Sequence, residues 1–322
     1  MIFKIVPKLP VIFAYLTIYI VWGSTYLAMR WAVESFPVYY LVSTRFFFGG
    51  LGFILISLAT RKLNRMPTIR EFLSASFFGI FLLIGGSGLV SAGLLRIDSY
   101  LSAIIISATP FSVAVFNRMF FKEKLSRVRL LGIILGFLGV TAILYTGKNP
   151  FSSIDPYIIL TLGGLISWSF ATSIGHMLKV YPNNLVNSGL QMIIAGLIAF
   201  VMSQFLYQPL PELISNISHR SAFSLLYLSI MGSAAYYAYT YLIAHEPSIR
   251  IVSYTIVNPL IAVLLGLALG RENPAPLLAL SIPFIISGLI FMLYGESLVG
   301  IISGKLKRKY KEDESFDSKV KE

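Results

Sequence analysis

Cysteine is absent from this 322-residue chain, and charge is scarce, with only 12% of residues charged. The first absence excludes disulfide frameworks, thiolate metal sites and cysteine nucleophiles, and leaves the redox compartment undetermined. The second, beside a hydrophobic content of 56% and a mean hydropathy of +0.78, excludes an ordinary cytosolic globular protein. Histidine is limited to His176, His219 and His245, each near the end of an apolar run. No HExxH, no Asp pair within an apolar run and no GxSxG occurs, so the grouped acids, bases and nucleophiles that hydrolytic chemistry needs are missing. Gly300 to Lys305 has the outline of a phosphate loop, but three residues separate its glycines and Leu306 stands where Ser or Thr should follow the lysine. Neither an ATP-driven pump nor an enzyme is expected, and no metal or other cofactor is.

Long apolar runs are what the chain does have. A helix needs about 20 residues to cross the hydrocarbon core, whereas a β-barrel would show short alternating segments. Ten runs meet the helical description, at 10–33, 37–59, 72–94, 99–121, 128–146, 156–178, 185–207, 221–245, 249–270 and 275–295. The expectation is an all-α polytopic membrane protein of ten transmembrane helices. The run after Lys4 and Lys8 is too long for a signal-peptide core, and no small-residue cleavage site follows it, so it counts as the first span.

A net charge of +12 would suggest a nucleic-acid partner in a soluble protein. Here the loops account for it. With the N-terminus in the cytoplasm, 20 of the 26 basic residues fall on the inner side, among them Arg61, Lys62, Arg65, Arg70, Arg118, Lys122 and Lys124. Only Arg30, Arg96, Lys148, Arg220 and Arg271 fall on the outer side, with Arg45 left inside a span. Such a bias places both termini in the cytoplasm, with the cytoplasmic (plasma) membrane as the expected location. The expected partners are the lipid bilayer and a small-molecule substrate, not nucleic acid, with the chain a monomer or weak homo-oligomer.

The two halves repeat each other. Pro110, Glu123, Gly139 and Tyr145 recur at an offset of 149 as Pro259, Glu272, Gly288 and Tyr294, and Trp22 and Pro37 are echoed by Trp168 and Pro182. Five spans per copy is an odd number, so the second copy must be inverted relative to the first. The division reads as 1–147 for the first five-helix repeat, 148–298 for the second, and 299–322 for a mixed-charge tail. The tail's composition suits a disordered positive-inside anchor better than a regulatory element.

Arg45 lies eight residues beyond Pro37, about 12 Å along its helix, too deep for a surface charge. Two accounts fit it. The guanidinium snorkels to headgroups or clamps carbonyls, or it binds a substrate carboxylate or phosphate or holds a gate acid such as Glu34. Pro110 and Pro259 free the carbonyls of Ile106 and Thr255, and Thr109 and Asn258 precede them. These prolines either kink helices for packing or open polar backbone at the midplane.

Trp22, Ser24, Thr25 and Tyr26 in the first span, and Trp168, Thr172 and His176 in the sixth, put rings and hydroxyls at helical spacing, as a cavity wall would. Tyr236, Tyr237, Tyr239, Tyr241 and Tyr254 add aromatics, of which some must face lipid. Gln191 and Asn187 touch substrate or glue helices. Ser87 and Ser91 sit among Gly85, Gly86, Gly88 and Gly93 in a third span that is either closely packed or bendable. Gly132 and Gly136 form a GxxxG with Gly139 following, which is read as packing.

Trp22-Gly23-Ser24, Arg45-Phe46, Ala108-Thr109-Pro110 and Lys122-Glu123-Lys124-Leu125 before the Gly132–Gly139 run together resemble the drug/metabolite transporter superfamily, in its EamA branch. The resemblance covers about residues 10–295, with Asn258-Pro259 and Arg271-Glu272 as the second copy of the motif. It departs at Lys122, where the family commonly has glycine, and at Arg96 and Asp98 in a short loop that is usually uncharged. The resemblance implies two five-helix repeats around one cavity and secondary transport of small metabolites, often export of amino acids and related compounds. Alternating access with a substrate held between the repeats is the expected mechanism, and Glu34 or Glu246 is a candidate for a coupling proton. The alternatives are a polytopic membrane enzyme, a lipid-handling protein or a channel; the lack of grouped catalytic residues and of a filter sequence weighs against the first and last.

Overall fold

In a bilayer an apolar run can satisfy its backbone only by closing its own hydrogen bonds, which is why these runs become helices. A computed structural model describes residues 9–123, 126–144, 155–206, 217–245 and 254–295, with 297, 299 and 300. Among these residues all regular structure is helical. The helices are α1 (Leu9–Ala32), α2 (Val38–Ala59), α3 (Ile69–Gly93), α4 (Ser99–Phe121) and α5 (Arg127–Leu144), followed by α6 (Pro156–Met177), α7 (Asn184–Leu206), α8 (residues 219–245), α9 (Tyr254–Ala268) and α10 (Leu278–Gly295). Seven of the described helices, α1 to α4, α6, α7 and α10, are long and apolar enough to cross a membrane. Lys4, Lys8, Lys124, Tyr145, Lys148, Glu246, Arg250 and the tail beyond residue 300 lie outside the described residues.

Helix ends follow local chemistry. Thr68 and Glu71 open α3 with reciprocal bonds, the Thr68 N–H donating to the Glu71 carboxylate at 2.8 Å, and Arg65 grips the same carboxylate at 2.6 Å. Asp155 accepts from the Tyr157 N–H at 2.9 Å at the start of α6, and Ser218 from the Ser221 N–H at 3.1 Å at the start of α8. Lys122 ends α4 in the left-handed conformation with φ 55°, and Arg271 follows α9 with φ 53°. The helix-end geometry that favours glycine is thus adopted by Lys122 without it.

Small residues decide how closely the helices approach. A Cβ on Gly50 of α2 would lie 2.8 Å from the Gly189 carbonyl oxygen of α7, and one on Gly288 of α10 would lie 2.5 Å from the Gly136 backbone nitrogen of α5. At both crossings backbone rests on backbone, as the GxxxG reading of α5 requires. The remaining helices pack as α1 on α8 and α9, α3 on α6 and α7, and α4 on α6 and α9. Buried side chains form one cluster of Met29, Leu41, Phe46 and Leu83, a second of Ile104, Ile105, Leu165 and Leu289, and a third of Ile18, Tyr239, Leu242 and Tyr254.

Two outcomes check this packing. Gly288→Leu forces α5 and α10 apart and lowers stability in detergent by about 1–3 kcal/mol, read as a lower Tm. Lys122→Gly relieves a left-handed backbone and raises stability by about 1 kcal/mol in the same assay.

Candidate functional site

Regular helices leave no gap in a tight bundle, so the irregular ones mark where space opens. Three helices widen locally to π pitch, at Ile18–Trp22 in α1, Gly79–Gly88 in α3 and Leu228–Gly232 in α8. Helix α4 breaks after Ile106 and restarts at Thr109, with Pro110 in the first turn of its second half. The Thr109 hydroxyl donates to the Ile106 carbonyl at 2.6 Å, replacing the amide that proline lacks. Pro259 sits buried within α9.

These irregularities converge on one cavity, in which the centre of a water molecule can range over about 100 Å³. Trp22, Thr25, Tyr26 and Met29 enter from α1, and Leu83, Gly86, Ser87 and Val90 from α3. Both sets run i, i+3, i+4, i+7, one helical face each. Arg45 and Phe46 come from α2, Ile106 from the break in α4, Gly164 and Trp168 from α6, Gly232 and Tyr236 from α8, and Tyr254 from α9. Gly86 has a local reason to be small, since a Cβ there would lie 2.9 Å from the Trp168 indole.

Among the described residues, Arg45 supplies the only charge in this wall. It is 8% exposed; its Nη2 donates to Ser87 Oγ at 2.9 Å, and its guanidinium carbon lies 4.3 Å from the centroid of the Phe46 ring. Nε and Nη1 are buried with no hydrogen-bond partner. Glu34 is not its counterion; that carboxylate lies 3.9 Å from Arg220. Nor does Arg45 clamp carbonyls with the two free donors. A guanidinium left this way in a low-dielectric interior carries a large desolvation penalty, which water or a bound anion relieves.

Trp22, Trp168 and Tyr254 of the same wall form an aromatic group with Tyr239. Trp22 lies 5.9 Å from Trp168, 5.1 Å from Tyr254 and 5.0 Å from Tyr239, and Tyr239 lies 6.0 Å from both Trp168 and Tyr254. Edge-on and tilted contacts of this kind hold the rings to one another.

Of the residues the sequence singled out, Trp22, Thr25, Arg45, Ser87, Trp168 and Tyr254 meet at the cavity. Ser24 instead bonds the Tyr227 hydroxyl at 2.6 Å, joining α1 to α8. Ser91 donates to the Ser87 carbonyl at 2.8 Å and Thr172 to the Trp168 carbonyl at 2.8 Å, each one turn from a lining residue. Thr109 stands behind Ile106. Gln191 accepts from the Tyr236 hydroxyl and so orients a lining ring from behind. Tyr237 packs on Phe53, 5.9 Å away. The Asn258 side-chain nitrogen lies 3.1 Å from the Tyr19 carbonyl and 3.3 Å from that of Tyr254 when its amide is oriented to donate, and so ties α9 to the π turn of α1. Tyr26 and Tyr236, also named from the sequence, line the cavity too, while Met29, Leu83 and Val90 line it without having been singled out. Extending the helical period from Trp22 and Ser87 reaches all three.

One end of the bundle carries a second, charged cavity, lined by Arg30, Glu34, Asp98, Arg220, Arg271 and Glu272 among others. Glu272 accepts from the Ser99 N–H at 2.7 Å, the Ser99 hydroxyl at 3.0 Å and the Tyr100 N–H at 3.3 Å, which fastens the α9–α10 connection to the start of α4. Arg96, one of the two charges that depart from the family pattern, lies 5.1 Å from the Tyr157 ring centroid. The other, Asp98, has its carboxyl held above the usual range, first by burial and then by Glu272, against the pull of Arg30.

The model of the EamA-like transporter family matches residues 9–145 and 155–294. The inner membrane transporter YedA of Escherichia coli strain K12, itself uncharacterized, is 30% identical over 296 residues, covering 90% of this chain and 92% of that one. A WAT1-related chloroplastic protein of Arabidopsis thaliana is 26% identical over 255 residues, covering 76% of this chain and 60% of its own. A solved structure titled only as the crystal structure of a protein shares the fold with a TM-score of 0.61 at 16% identity, covering 87% of this chain and 95% of that one.

Asp98 gives a pH-dependent outcome. Its proton is bound more tightly in the folded chain, so its contribution to stability falls as pH rises from about 4, the ordinary carboxylate range. Asp98→Asn removes that loss: its Tm at neutral pH equals or exceeds that of the wild type, and its Tm falls less between pH 4 and 7.

Proposed function

Given that the chain belongs to the EamA-like transporter family, we propose that it exports small metabolites bearing an anionic group, amino acids and related compounds, by alternating access, with the cargo held against Arg45 in the main cavity. It is an integral membrane transporter of small molecules. The single observation that carries the finer reading is the buried Arg45 guanidinium with two unpartnered donors in a cavity walled by Trp22, Trp168 and Tyr254. A carboxylate or phosphate relieves those donors, and the rings and aliphatic side chains take the apolar remainder.

The reading includes ten transmembrane helices arranged as two inverted five-helix repeats, 1–147 and 148–298, with both termini in the cytoplasm and the chain in the plasma membrane. Helix packing supports it. Exchanging α1–α5 with α6–α10 turns the α1 and α8 contact into that of α6 and α3, and the α1 and α9 contact into that of α6 and α4, and all of these pairs are packed. The pairs α2 with α7 and α4 with α9 map onto themselves, and Lys122 and Arg271 share a left-handed backbone at matched positions. Alternating access then follows from one repeat rocking against the other around a fixed site. The carrier works as a monomer or weak homo-oligomer.

Counterflow in proteoliposomes tests the site. Radiolabelled acidic or zwitterionic cargo that exchanges through the wild type should exchange at least tenfold more slowly through Arg45→Ala, with Arg45→Lys between them; equal rates in all three refute the assignment. A C-terminal fluorescent fusion is expected to fluoresce in cells while a C-terminal alkaline phosphatase fusion stays inactive, and the reverse pattern overturns the orientation.

A further inference from the structure

The cavity wall is one-sided in its chemistry, and we infer that its cargo is an organic monoanion with an apolar or aromatic body and no free ammonium group. This rests on the reading of the cavity as the cargo site and departs from it in one respect: of the anionic metabolites proposed above, free amino acids are excluded, and carboxylic acids whose amine is missing or blocked remain.

Arg45 offers a buried positive charge with open donors. With Nη2 bonded to Ser87, Nε and Nη1 remain unpartnered on opposite edges of the guanidinium plane, so a carboxylate has an N–H to accept from on either side. Among the described residues, no Asp or Glu lines the cavity. An ammonium group brought in with the carboxylate would shed its water against a wall that holds a like charge and no counterion, which costs far more than a hydrogen bond returns.

The two other sources of help for a cation are already committed in part. Backbone carbonyls at two of the helix irregularities are taken by neighbouring hydroxyls: Thr25 donates to the Trp22 carbonyl at 2.8 Å and Thr109 to that of Ile106 at 2.6 Å. The rings of Trp22, Trp168 and Tyr254 are engaged edge-on with one another, Trp22 lying 5.9 Å from Trp168 and 5.1 Å from Tyr254, which withdraws part of their surface from cation–π binding. Leu83, Val90 and Ile106 instead present hydrocarbon to the cargo's body. The wall therefore accepts one negative charge and rejects a positive one.

Four compounds with the same phenyl body separate the charges: 3-phenylpropionate, N-acetylphenylalanine, phenylalanine and 2-phenylethylamine. Each is titrated against the purified full-length chain in detergent, by calorimetry and by thermal shift, since a ligand of the folded state raises Tm. The expected result is binding of the two monoanions at least tenfold tighter than phenylalanine, no binding of 2-phenylethylamine, and a tenfold or greater loss for the monoanions in Arg45→Ala. Arg45→Lys, which keeps the charge and loses the guanidinium's fixed planar donors, gives an intermediate loss and covers the case in which Arg45→Ala does not fold. Phenylalanine binding as tightly as 3-phenylpropionate overturns the inference while leaving the cavity as the cargo site. Silence of both monoanions against folded wild type also overturns it, and Arg45-dependent counterflow of other anions then decides the parent reading on its own.

Discussion

Everything around the main cavity answers to one constraint, a guanidinium buried in a bundle of apolar helices. Arg45 is drawn toward Ser87 and Phe46, but neither neutralises it, and two of its donors stay open. In a medium that penalises unmatched charge so heavily, such a group persists only where space exists for water or an anion beside it. The structure supplies that space by bending its own secondary structure. Three π turns and a proline break all lie at the walls of the same cavity, so backbone irregularity is concentrated where the charge needs room.

Opening a cavity inside a helical bundle weakens it, and the surrounding contacts offset this by unusually close packing. Gly50 against Gly189 and Gly136 against Gly288 let helix backbones touch, so that dispersion contacts replace the hydrophobic drive that lipid does not provide. Carbonyls at two of the irregularities are capped locally, that of Trp22 by Thr25 and that of Ile106 by Thr109. The chemical asymmetry of the wall therefore rests on Arg45, which has no acidic partner among the described lining residues.

Much of the site was legible because helical period projects a linear pattern onto a face. Trp22, Thr25 and Tyr26 pointed to one wall, Trp168 to another, and Arg45 stood out as a charge deep within a span. The same period, continued one turn, reaches Met29 from Trp22 and Leu83 and Val90 from Ser87. The reading stopped short because it weighted polar and aromatic residues and passed over apolar ones that a ligand's body needs. Ser24, Gln191 and Asn258 were singled out on chemistry that suits a ligand equally well; the structure gives each a protein partner, Tyr227, Tyr236, and the backbone carbonyls of Tyr19 and Tyr254. Which partner a hydroxyl or amide finds depends on the neighbouring helix, and no spacing along one chain reveals it.

Composition and periodicity by themselves determined that this is a helical membrane protein, that Arg45 lies deep in it, and that Pro110 and Lys122-Glu123 recur as Pro259 and Arg271-Glu272. Those properties are local: run length against bilayer thickness, and charge against a low dielectric. Only the tertiary structure decided that Glu34 pairs with Arg220 and leaves Arg45 open, that Glu272 fastens the start of α4, and that the π turns of α1, α3 and α8 face one another across a single cavity. These are relations between segments far apart in sequence, set by which helix packs on which, and they come into being only when the bundle closes.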